Sequence, residues 1–323
     1  MHRPCVREGM ARGWRFWTAL WIVYIVWGST YLAIKVSVRT MPPLLSAGLR
    51  FMLAGLLLAA ILAVLRTPSR VPWRQAGAAA GLGVALLGCG VGVVTLAETR
   101  IDSSVAAMIA GSVPLQVIIW RTIARERIAT ATRLSAVVGL AGLALIVIPT
   151  GLSGGSQAVG LAMMLGASMA WSTGSFFSSR LALPGDTFVA TVYEMLGGGA
   201  ALVVAALIRG EGGGLTDGVS AASFAAWLYL ALFGSLVAFT AYAWLLQNAP
   251  ISQVVTHQYV NPLVAIVLGA VVLGETFDAT TIIGALIVIG AVFATIRSES
   301  RATAPVPVPV VEAARAAPPV RAK

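Results

Sequence analysis

The chain has 323 residues, of which 58% are hydrophobic and only 11% are charged, and its mean hydropathy is +0.89. Soluble globular domains carry about 25% charged residues, so this composition excludes an ordinary soluble protein and predicts an integral membrane protein in a lipid bilayer. The formal net charge of +10 does not indicate a nucleic-acid partner, because Lys and Arg fall between the apolar stretches and form no continuous basic face.

Apolar stretches follow one another along the chain, each close to the ~20 residues that a helix needs to cross a hydrocarbon core of about 30 Å. A basic tail (1–16) precedes them, and a Pro- and Ala-rich tail (297–323) follows, which is predicted to be disordered. We therefore predict an all-α integral membrane fold of ten transmembrane helices. They are expected near residues 17–36, 42–65, 76–97, 103–123, 132–149, 158–178, 187–208, 222–246, 251–273 and 279–296.

The distribution of basic residues predicts the orientation of these helices. With the N-terminus in the cytoplasm, the outer segments hold only Lys35, Arg39, Arg100 and Arg209, and nearly all other basic residues fall in inner segments. Both termini and both tails are therefore expected to be cytoplasmic. Five helices in each half then place the two halves in opposite orientations, as an inverted repeat.

Landmarks of the first half recur in the second. Trp27 returns as Trp171, and Arg50 corresponds to Glu194, both at an offset of 144 residues, while Pro114-Leu115 returns as Pro262-Leu263 at an offset of 148. These pairs divide the chain into a first five-helix repeat (17–149) and a second five-helix repeat (158–296). Such a duplication is typical of transporters that open alternately to two sides of a membrane.

The same residues resemble the EamA-type carriers of the drug/metabolite transporter superfamily. The resemblance rests on Trp27-Gly28-Ser29-Thr30 and Trp171-Ser172-Thr173-Gly174 in the first helix of each half. It also rests on each Pro-Leu pair and its following Glu-containing turn, Arg125-Glu126-Arg127 and Gly274-Glu275-Thr276. The run from Ala243 to Phe277 is the best match. The resemblance implies ten helices in two repeats and efflux or exchange of small metabolites, without fixing the substrate.

Pro114 and Pro262 are predicted to kink their helices about midway across the membrane. A proline removes a backbone donor and leaves carbonyl groups that only a polar cavity or a neighbouring side chain can satisfy. The alternative is that packing with adjacent helices satisfies them, since proline is common in transmembrane helices. Two prolines at matching positions favour a midplane cavity.

The ninth predicted helix has the most polar sequence pattern in the chain. Gln253, His257 and Asn261 follow at i, i+4 and i+8 and so lie on one helical face, with Tyr259 on an adjacent face. We expect these four side chains to line a substrate cavity. The alternative is that they form hydrogen bonds between helices, worth ~0.6 kcal/mol each in membranes.

Trp27 and Trp171 are expected near mid-membrane, where their rings would stack on an apolar or aromatic substrate; the alternative is an anchoring role at the membrane interface. Arg50 and Glu194 are charges inside predicted spans, and burying either one alone is costly. We consider two hypotheses for them. They form an ion pair or successive partners of one cavity, with Glu194 as a proton carrier, or each has a purely structural role.

These observations predict a secondary transporter of small neutral or zwitterionic metabolites, such as amino acids, or of drugs, working by alternating access in the plasma membrane of a bacterium. Alternatives from other classes are an integral membrane enzyme and a channel with a polar cavity. The sequence shows neither dense acidic or His clusters nor a Walker motif, and its cysteines, Cys5 and Cys89, offer no metal-ligand spacing. No metal or cofactor is expected. Gly284 and Gly290 would permit close helix contacts either within one subunit or between the subunits of a homodimer.

Overall fold

The computed structural model describes residues 8–68, 70–101, 106, 109–147, 157–213, 218–273 and 279–302. Within these ranges all regular elements are helical. The helices of the first half are α1 (Glu8–Ser37), α2 (Pro43–Val64), α3 (Trp73–Ala97), α4 (Val113–Ile123) and α5 (Thr130–Val147). Those of the second half are α6 (Gln157–Ser178), α7 (Thr187–Ile208), α8 (Ala221–Asn248), α9 (His257–Leu273) and α10 (Ala279–Ala302), with a one-turn helix (Ile251–Val254) before α9.

The predicted all-helical membrane architecture is confirmed in its general form. Helices α2, α3, α7 and α8, together with α1 from Gly13 onward, are each long and apolar enough to cross a membrane. Their outward faces carry large apolar side chains such as Trp21, Leu56 and Val204, which are about half exposed on the protein surface. In water this surface would be unfavourable, whereas the acyl chains of a bilayer cover it without cost.

Close helix crossings join the two halves of the chain. Helix α2 packs antiparallel to α7, with Gly48 against Gly199 and Gly55 against Leu196. A Cβ added to Gly48 would lie 3.0 Å from the carbonyl oxygen of Gly199, and one on Gly199 would lie 3.1 Å from that of Gly48. Because neither glycine has a side chain, the two backbones can approach each other closely at this crossing.

Helix α1 lies between two helices of the second half. It runs parallel to α9, to which Tyr24 is linked by a 2.7 Å hydrogen bond with Thr256 just before that helix. It runs antiparallel to α8, since the indole of Trp27 donates to the carbonyl of Gly234 and Ser223 donates to that of Val36. Helix α1 of the first half thus packs between α8 and α9 of the second half.

Helices α5 and α10 form a second antiparallel pair. Their contact is marked by a 2.8 Å hydrogen bond between the hydroxyl groups of Ser135 and Thr295. One turn further along the same interface, Thr132 and Ser298 form a 3.0 Å hydrogen bond. These polar pairs fix the register of two helices whose remaining contact residues are small or apolar.

Two helices contain a π-helical stretch that the sequence pattern did not predict. Residues Val84–Gly92 of α3 and Leu230–Phe239 of α8 have this geometry. π-helical turns often occur at functional sites, because the wider turn shifts side chains relative to a regular α-helix. Both stretches border the central cavity described below.

The fourth predicted span differs from the expected kinked helix. The chain makes a turn at residues 111–112, and α4 begins at Val113, which places Pro114 in the first helical turn. Backbone N–H groups in the first turn of a helix have no partner within the helix, so a proline there removes no hydrogen bond. Pro114 therefore starts the helix and does not bend its middle. Pro262 lies inside α9, but its side chain is outside the described part of the chain.

The predicted tails overlap with helices. Helix α1 begins at Glu8, inside the predicted tail 1–16, and α10 continues to Ala302, beyond the predicted end at residue 296. The predictions for residues 1–7 and 303–323 lie outside the described residues.

We predict that Gly83 is required for the crossing of α3 and α7. A Cβ at this position would overlap the backbone carbonyl of Glu194, and neither backbone can move without disturbing its own helix. Gly83→Ala should therefore lower the melting temperature of the purified protein, because overpacking at a close contact costs ~1–3 kcal/mol. Gly81→Ala is the matched control, since a Cβ at Gly81 meets nothing within 4 Å. An equal melting temperature for the two variants would contradict this crossing.

Candidate substrate cavity

A central cavity lies between the two halves of the chain, and the space in it that water-sized molecules can occupy is about 90 Å³. Helices α1, α2, α3, α6, α8 and α9 contribute to its wall, together with Ala110 and Val113 of the fourth span. On α1 the lining residues run from Trp27 to Ile34, so the cavity extends from the middle of that helix toward its C-terminal end.

Four aromatic rings form a cluster at one end of the cavity, which we call the aromatic floor, and all of them except Tyr242 line the cavity. The centroid of Trp27 lies 5.3 Å from that of Trp171, 4.9 Å from that of Tyr242 and 5.1 Å from that of His257. Tyr242 is in turn 5.2 Å from Trp171 and 5.3 Å from His257. Trp27 and Trp171, predicted separately from the repeat, are thus brought together at one site, and such ring pairs are worth ~0.5–1.5 kcal/mol each beyond their burial.

His257 has one ring nitrogen fixed and the other directed to the cavity. Its Nδ1 lies 2.9 Å from the carbonyl oxygen of Val254, so the neutral ring donates its Nδ1 proton there. Its Nε2 is buried without a hydrogen-bond partner among the described residues, and the side chain lines the cavity. In this tautomer Nε2 is a hydrogen-bond acceptor available to a ligand.

We expect His257→Phe to raise KM for a transported substrate that carries an N–H donor by up to about tenfold. The Phe ring keeps the aromatic contact with Trp27 but removes the acceptor, and one hydrogen bond is worth ~0.5–1.5 kcal/mol. His257→Gln, whose amide oxygen can accept, should raise KM less. The measurement is concentration-dependent uptake into proteoliposomes, and an unchanged KM for His257→Phe would contradict the assignment.

The other polar residues of the ninth predicted helix divide into two groups. Asn261 lines the cavity, together with Gln258, which the sequence pattern did not single out. Gln253 instead donates to the carbonyl of Ile296 on α10, and Tyr259 donates to that of Ala136 on α5, so both lie outside the cavity lining. The predicted single polar face requires a continuous helix, whereas the chain turns at residues 255–256 and changes the register.

Buried polar atoms without a partner converge on this cavity. Within the described residues they include the indole nitrogen of Trp171, the hydroxyl of Ser235, Nε2 of His257, and the amide oxygens of Gln258 and Asn261. Buried polar groups normally have hydrogen-bond partners, so each exception needs an explanation. A bound polar molecule would supply the missing partners for all five.

Arg50 is a cavity residue that forms no ion pair with Glu194. It is 5% exposed, its guanidinium lies 4.7 Å from the ring centroid of Phe51, and its Nε has no hydrogen-bond partner among the described residues. Glu194 is buried on α7, where α3 crosses at Gly83, and its charge acts on Tyr242, although Glu194 itself does not line the cavity. The charge that acts on Arg50 is that of Glu98, so the predicted ion pair with Glu194 is not formed between these described side chains.

Glu98 is the buried carboxylate that acts on Arg50. It is 1% exposed, and Lys35 and Arg50 are the charged groups that act on it. Glu98 directly follows the span Trp73–Ala97, and burial raises the pKa of its carboxyl to about 8, while the two positive charges oppose that rise. Sequence reasoning missed Glu98 because it stands at the end of a predicted span, where a charge is usually solvated.

A cluster of polar contacts closes the opposite end of the bundle, and we call Arg121, Glu126, Arg180 and Ser252 the terminal network. Glu126 accepts a hydrogen bond of 2.8 Å from Arg121 and pairs with Arg180, which links the ends of α4 and α6. Arg121 also donates to Ser252 in the one-turn helix before α9. Because this network lies beyond the aromatic floor, the structure shows the cavity closed toward the beginning of α1.

These features define a helical membrane protein with a polar and aromatic cavity between its two halves. The sequence matches the EamA-like transporter family twice, over residues 16–148 and 158–297. Since the two matches cover most of its length, the chain belongs to the EamA-like transporter family.

Individual relatives agree with this assignment. The chain is 38% identical over 261 residues to the uncharacterized inner membrane transporter YedA of Escherichia coli K12, covering 80% of this chain and 83% of that protein. An uncharacterized transporter of Archaeoglobus fulgidus is 24% identical over 87% of this chain and 98% of its own length. A crystal structure with 18% identity shares the fold, with a TM-score of 0.70 over 89% of this chain and 98% of that one. By family and relatives, the chain is a transporter and not an enzyme.

Proposed function

We propose that this chain is a secondary transporter that exports or exchanges small neutral or zwitterionic metabolites, such as amino acids, or drugs, by alternating access. The observation that carries the proposal is the convergence of unpartnered polar atoms and an aromatic floor on one cavity between the two halves. Apolar rings suit the apolar part of a substrate, and the few polar atoms suit its hydrogen-bonding groups. A carrier site needs this mixture, because it must bind and then release its cargo.

The proposal includes ten helices arranged as two inverted repeats. Helices at equivalent positions of the two halves, α2 with α7 and α5 with α10, pack antiparallel to each other. The close approach of Gly48 and Gly199 is reciprocal, as a pseudo-two-fold axis between them requires. The π-helical stretches lie in α3 and α8, which are equivalent helices of the two halves, and so they also support a repeat of the same structure.

The charge inventory of the cavity favours neutral or zwitterionic substrates. Among the described residues that line the cavity, Arg50 is the single one that is a Lys or an Arg. Phosphorylated sugars and nucleotide-sugars carry several negative charges, and a low-dielectric site would need several cations to neutralise them. A single guanidinium matches one carboxylate. The aromatic floor would accommodate an apolar or aromatic side chain.

Orientation and assembly are further parts of the proposal. The excess of Lys and Arg in inner segments favours cytoplasmic termini in the plasma membrane of a bacterium, and YedA is named as an inner membrane transporter. The cavity would then open away from the cytoplasm in this conformation. Gly290 is exposed on α10, as are Ile282, Ile289 and Phe293, and this face would permit a homodimer, whereas Gly284 packs against Gly142 of α5 within the chain.

Uptake into proteoliposomes tests the proposed function. We expect saturable transport of at least one member of a panel of amino acids and amine drugs, measured with and without a pH gradient. Preloading the vesicles with unlabelled substrate should accelerate uptake of labelled substrate, because a carrier exchanges its cargo and a channel does not. Absence of transport for the whole panel, or conduction without saturation and exchange, would contradict the proposal.

Tags at the two ends of the chain test the orientation. A protease or an antibody added to intact cells should reach neither tag, and both should become accessible in inside-out vesicles. Accessibility of only one tag in intact cells would place the termini on opposite sides and would exclude an inverted ten-helix arrangement.

A further inference from the structure

We propose that Glu98 is a proton-binding site whose protonation decides whether Arg50 can hold the carboxylate group of a molecule in the cavity. The inference rests on the proposed function, because it assigns a coupling ion to the same cavity. It concerns two side chains on neighbouring helices, Arg50 on α2 and Glu98 at the end of α3. Neither is part of the aromatic floor.

Arg50 has the position that recognition of a carboxylate requires. It lines the cavity, it is almost fully buried, and its Nε has no hydrogen-bond partner among the described residues. The described lining also contains polar groups without hydrogen-bond partners on α8 and α9. A ligand whose carboxylate binds Arg50 could therefore place its other polar groups against them in the same cavity. A guanidinium offers paired N–H donors whose geometry matches the two oxygens of a carboxylate.

Glu98 lies close enough to Arg50 for each charge to act on the other, although the two side chains form no ion pair in this structure. Both of its carboxylate oxygens are buried without a hydrogen-bond partner in the described structure. The charged or titratable groups that act on it there are Tyr31 and Lys35 from α1 and Arg50 from α2. Lys35 is also 3.4 Å and 3.3 Å from the backbone carbonyl oxygens of Glu98 and Ile101, which fixes its ammonium group beside the end of α3.

The arrangement couples two binding events. When Glu98 is ionised, its negative charge offsets that of Arg50 and repels a carboxylate in the cavity. When Glu98 is protonated it is neutral, and Arg50 retains its full attraction for that carboxylate. Conversely, two nearby carboxylates with few hydrogen-bond donors favour protonation of one of them, so a bound carboxylate favours protonation of Glu98. A carboxylate ligand and a proton therefore bind together, and by linkage each strengthens the binding of the other to the same extent.

A pair of matched probes tests this coupling in the purified full-length protein. 3-Phenylpropanoate carries a carboxylate, 3-phenylpropanamide is its neutral counterpart, and neither titrates between about pH 6 and pH 9. We expect the affinity for 3-phenylpropanoate, measured by isothermal titration calorimetry, to fall by up to about tenfold per pH unit once Glu98 loses its proton. The affinity for the amide should stay constant.

Variants assign the effect to its residue. Glu98→Gln should bind 3-phenylpropanoate equally well across this pH range, whereas Glu194→Gln, the matched control for loss of a buried carboxylate, should retain the pH dependence. The inference is overturned if wild-type binding of the acid does not depend on pH, if Glu98→Gln keeps the dependence, or if the acid binds no better than the amide at the lowest pH.

A second measurement needs only the wild-type protein and so does not depend on the folding of any variant. Titrations in buffers of different ionisation enthalpy give the number of protons taken up with each ligand. We expect uptake of about half a proton with 3-phenylpropanoate at about pH 8, where free Glu98 is already half protonated, rising toward one proton at about pH 9, and none with the amide; equal uptake for both would overturn the inference. Transport combined with pH-independent binding would refute this coupling alone, whereas coupled binding without any transport would refute only the proposed function.

Discussion

Trp171→Ala is expected to reduce substrate transport by about tenfold or more while the protein still inserts into the membrane. The indole of Trp171 is 7% exposed, and its ring contacts Trp27 and Tyr242 at centroid distances of 5.3 and 5.2 Å. Loss of the indole removes a surface on which an apolar or aromatic substrate would pack; one such contact is worth ~0.5–1.5 kcal/mol beyond the burial of its area, and about 1.4 kcal/mol corresponds to a factor of ten.

Two comparisons separate a site effect from general damage. Trp171→Phe keeps an aromatic ring in the floor and should retain most of the transport rate. Trp73→Ala, which truncates a Trp that is 79% exposed at the start of α3, should transport at the wild-type rate. A Trp171→Ala protein that transports at full rate at an equal amount of inserted protein would remove this residue from the site.

Glu126→Gln is expected to shift the protein toward a conformation that is open at the end of the terminal network. In the structure Glu126 is shared by Arg121, whose side chain is only 11% exposed, and Arg180. Neutralising it weakens the charged contacts of Glu126 with Arg121 and Arg180, which costs ~1.5–3 kcal/mol for a partly buried charged contact. A change of that size alters the ratio of closed to open states about 10- to 100-fold.

Distance measurements between spin labels test this expectation. Labels at Thr122 on α4 and Asn248 on α8, both exposed, would report separation of the two halves at this end. Glu126→Gln should add a population with a longer distance, and Arg133→Gln, which removes an exposed charge at the same end, should not. Identical distance distributions for wild type and Glu126→Gln would show that the network does not hold the closed state.

The helical architecture was predictable from the sequence because lipid imposes one strong constraint. Each spanning segment must be a long apolar run with its backbone groups bonded internally, and runs such as Pro43–Val64 and Thr187–Ile208 begin and end close to the predicted limits. The π-helical stretches left no comparable signal. Their backbone geometry depends on contacts with other helices, and their composition is as apolar as that of the flanking turns.

The site was predictable only in part. Trp27 and Trp171 were found because the repeat gives each the same place in its half, and His257 was found because a polar residue in a membrane span is costly. Gln253 and Tyr259 satisfied the same rule, but other helices supply their hydrogen-bond partners outside the cavity. Sequence periodicity cannot distinguish a polar side chain that faces a ligand from one that faces a neighbouring helix.

The charged residues show the same limit. Arg50 and Glu194 occupy corresponding positions, yet α7 places Glu194 against α3 and outside the cavity lining. Glu98 lies outside the repeat pattern and directly follows the predicted span 76–97. One signal was present: Lys35, Arg50 and Glu98 all lie near the same predicted membrane surface, so helices that pack together there would bring them to one depth.

Thiol labelling of a cavity position gives the most direct test of the central claim that the two halves enclose a polar cavity open to one side. In a Cys5→Ser background, Val94→Cys places a thiol in the cavity wall on α3, while native Cys89 on the same helix is exposed on the outside of the bundle. A charged, membrane-impermeant maleimide should label Val94→Cys from the side opposite the termini and should leave Cys89 unmodified in lipid. Labelling of Cys89 alone, or of neither thiol from that side, would contradict the account.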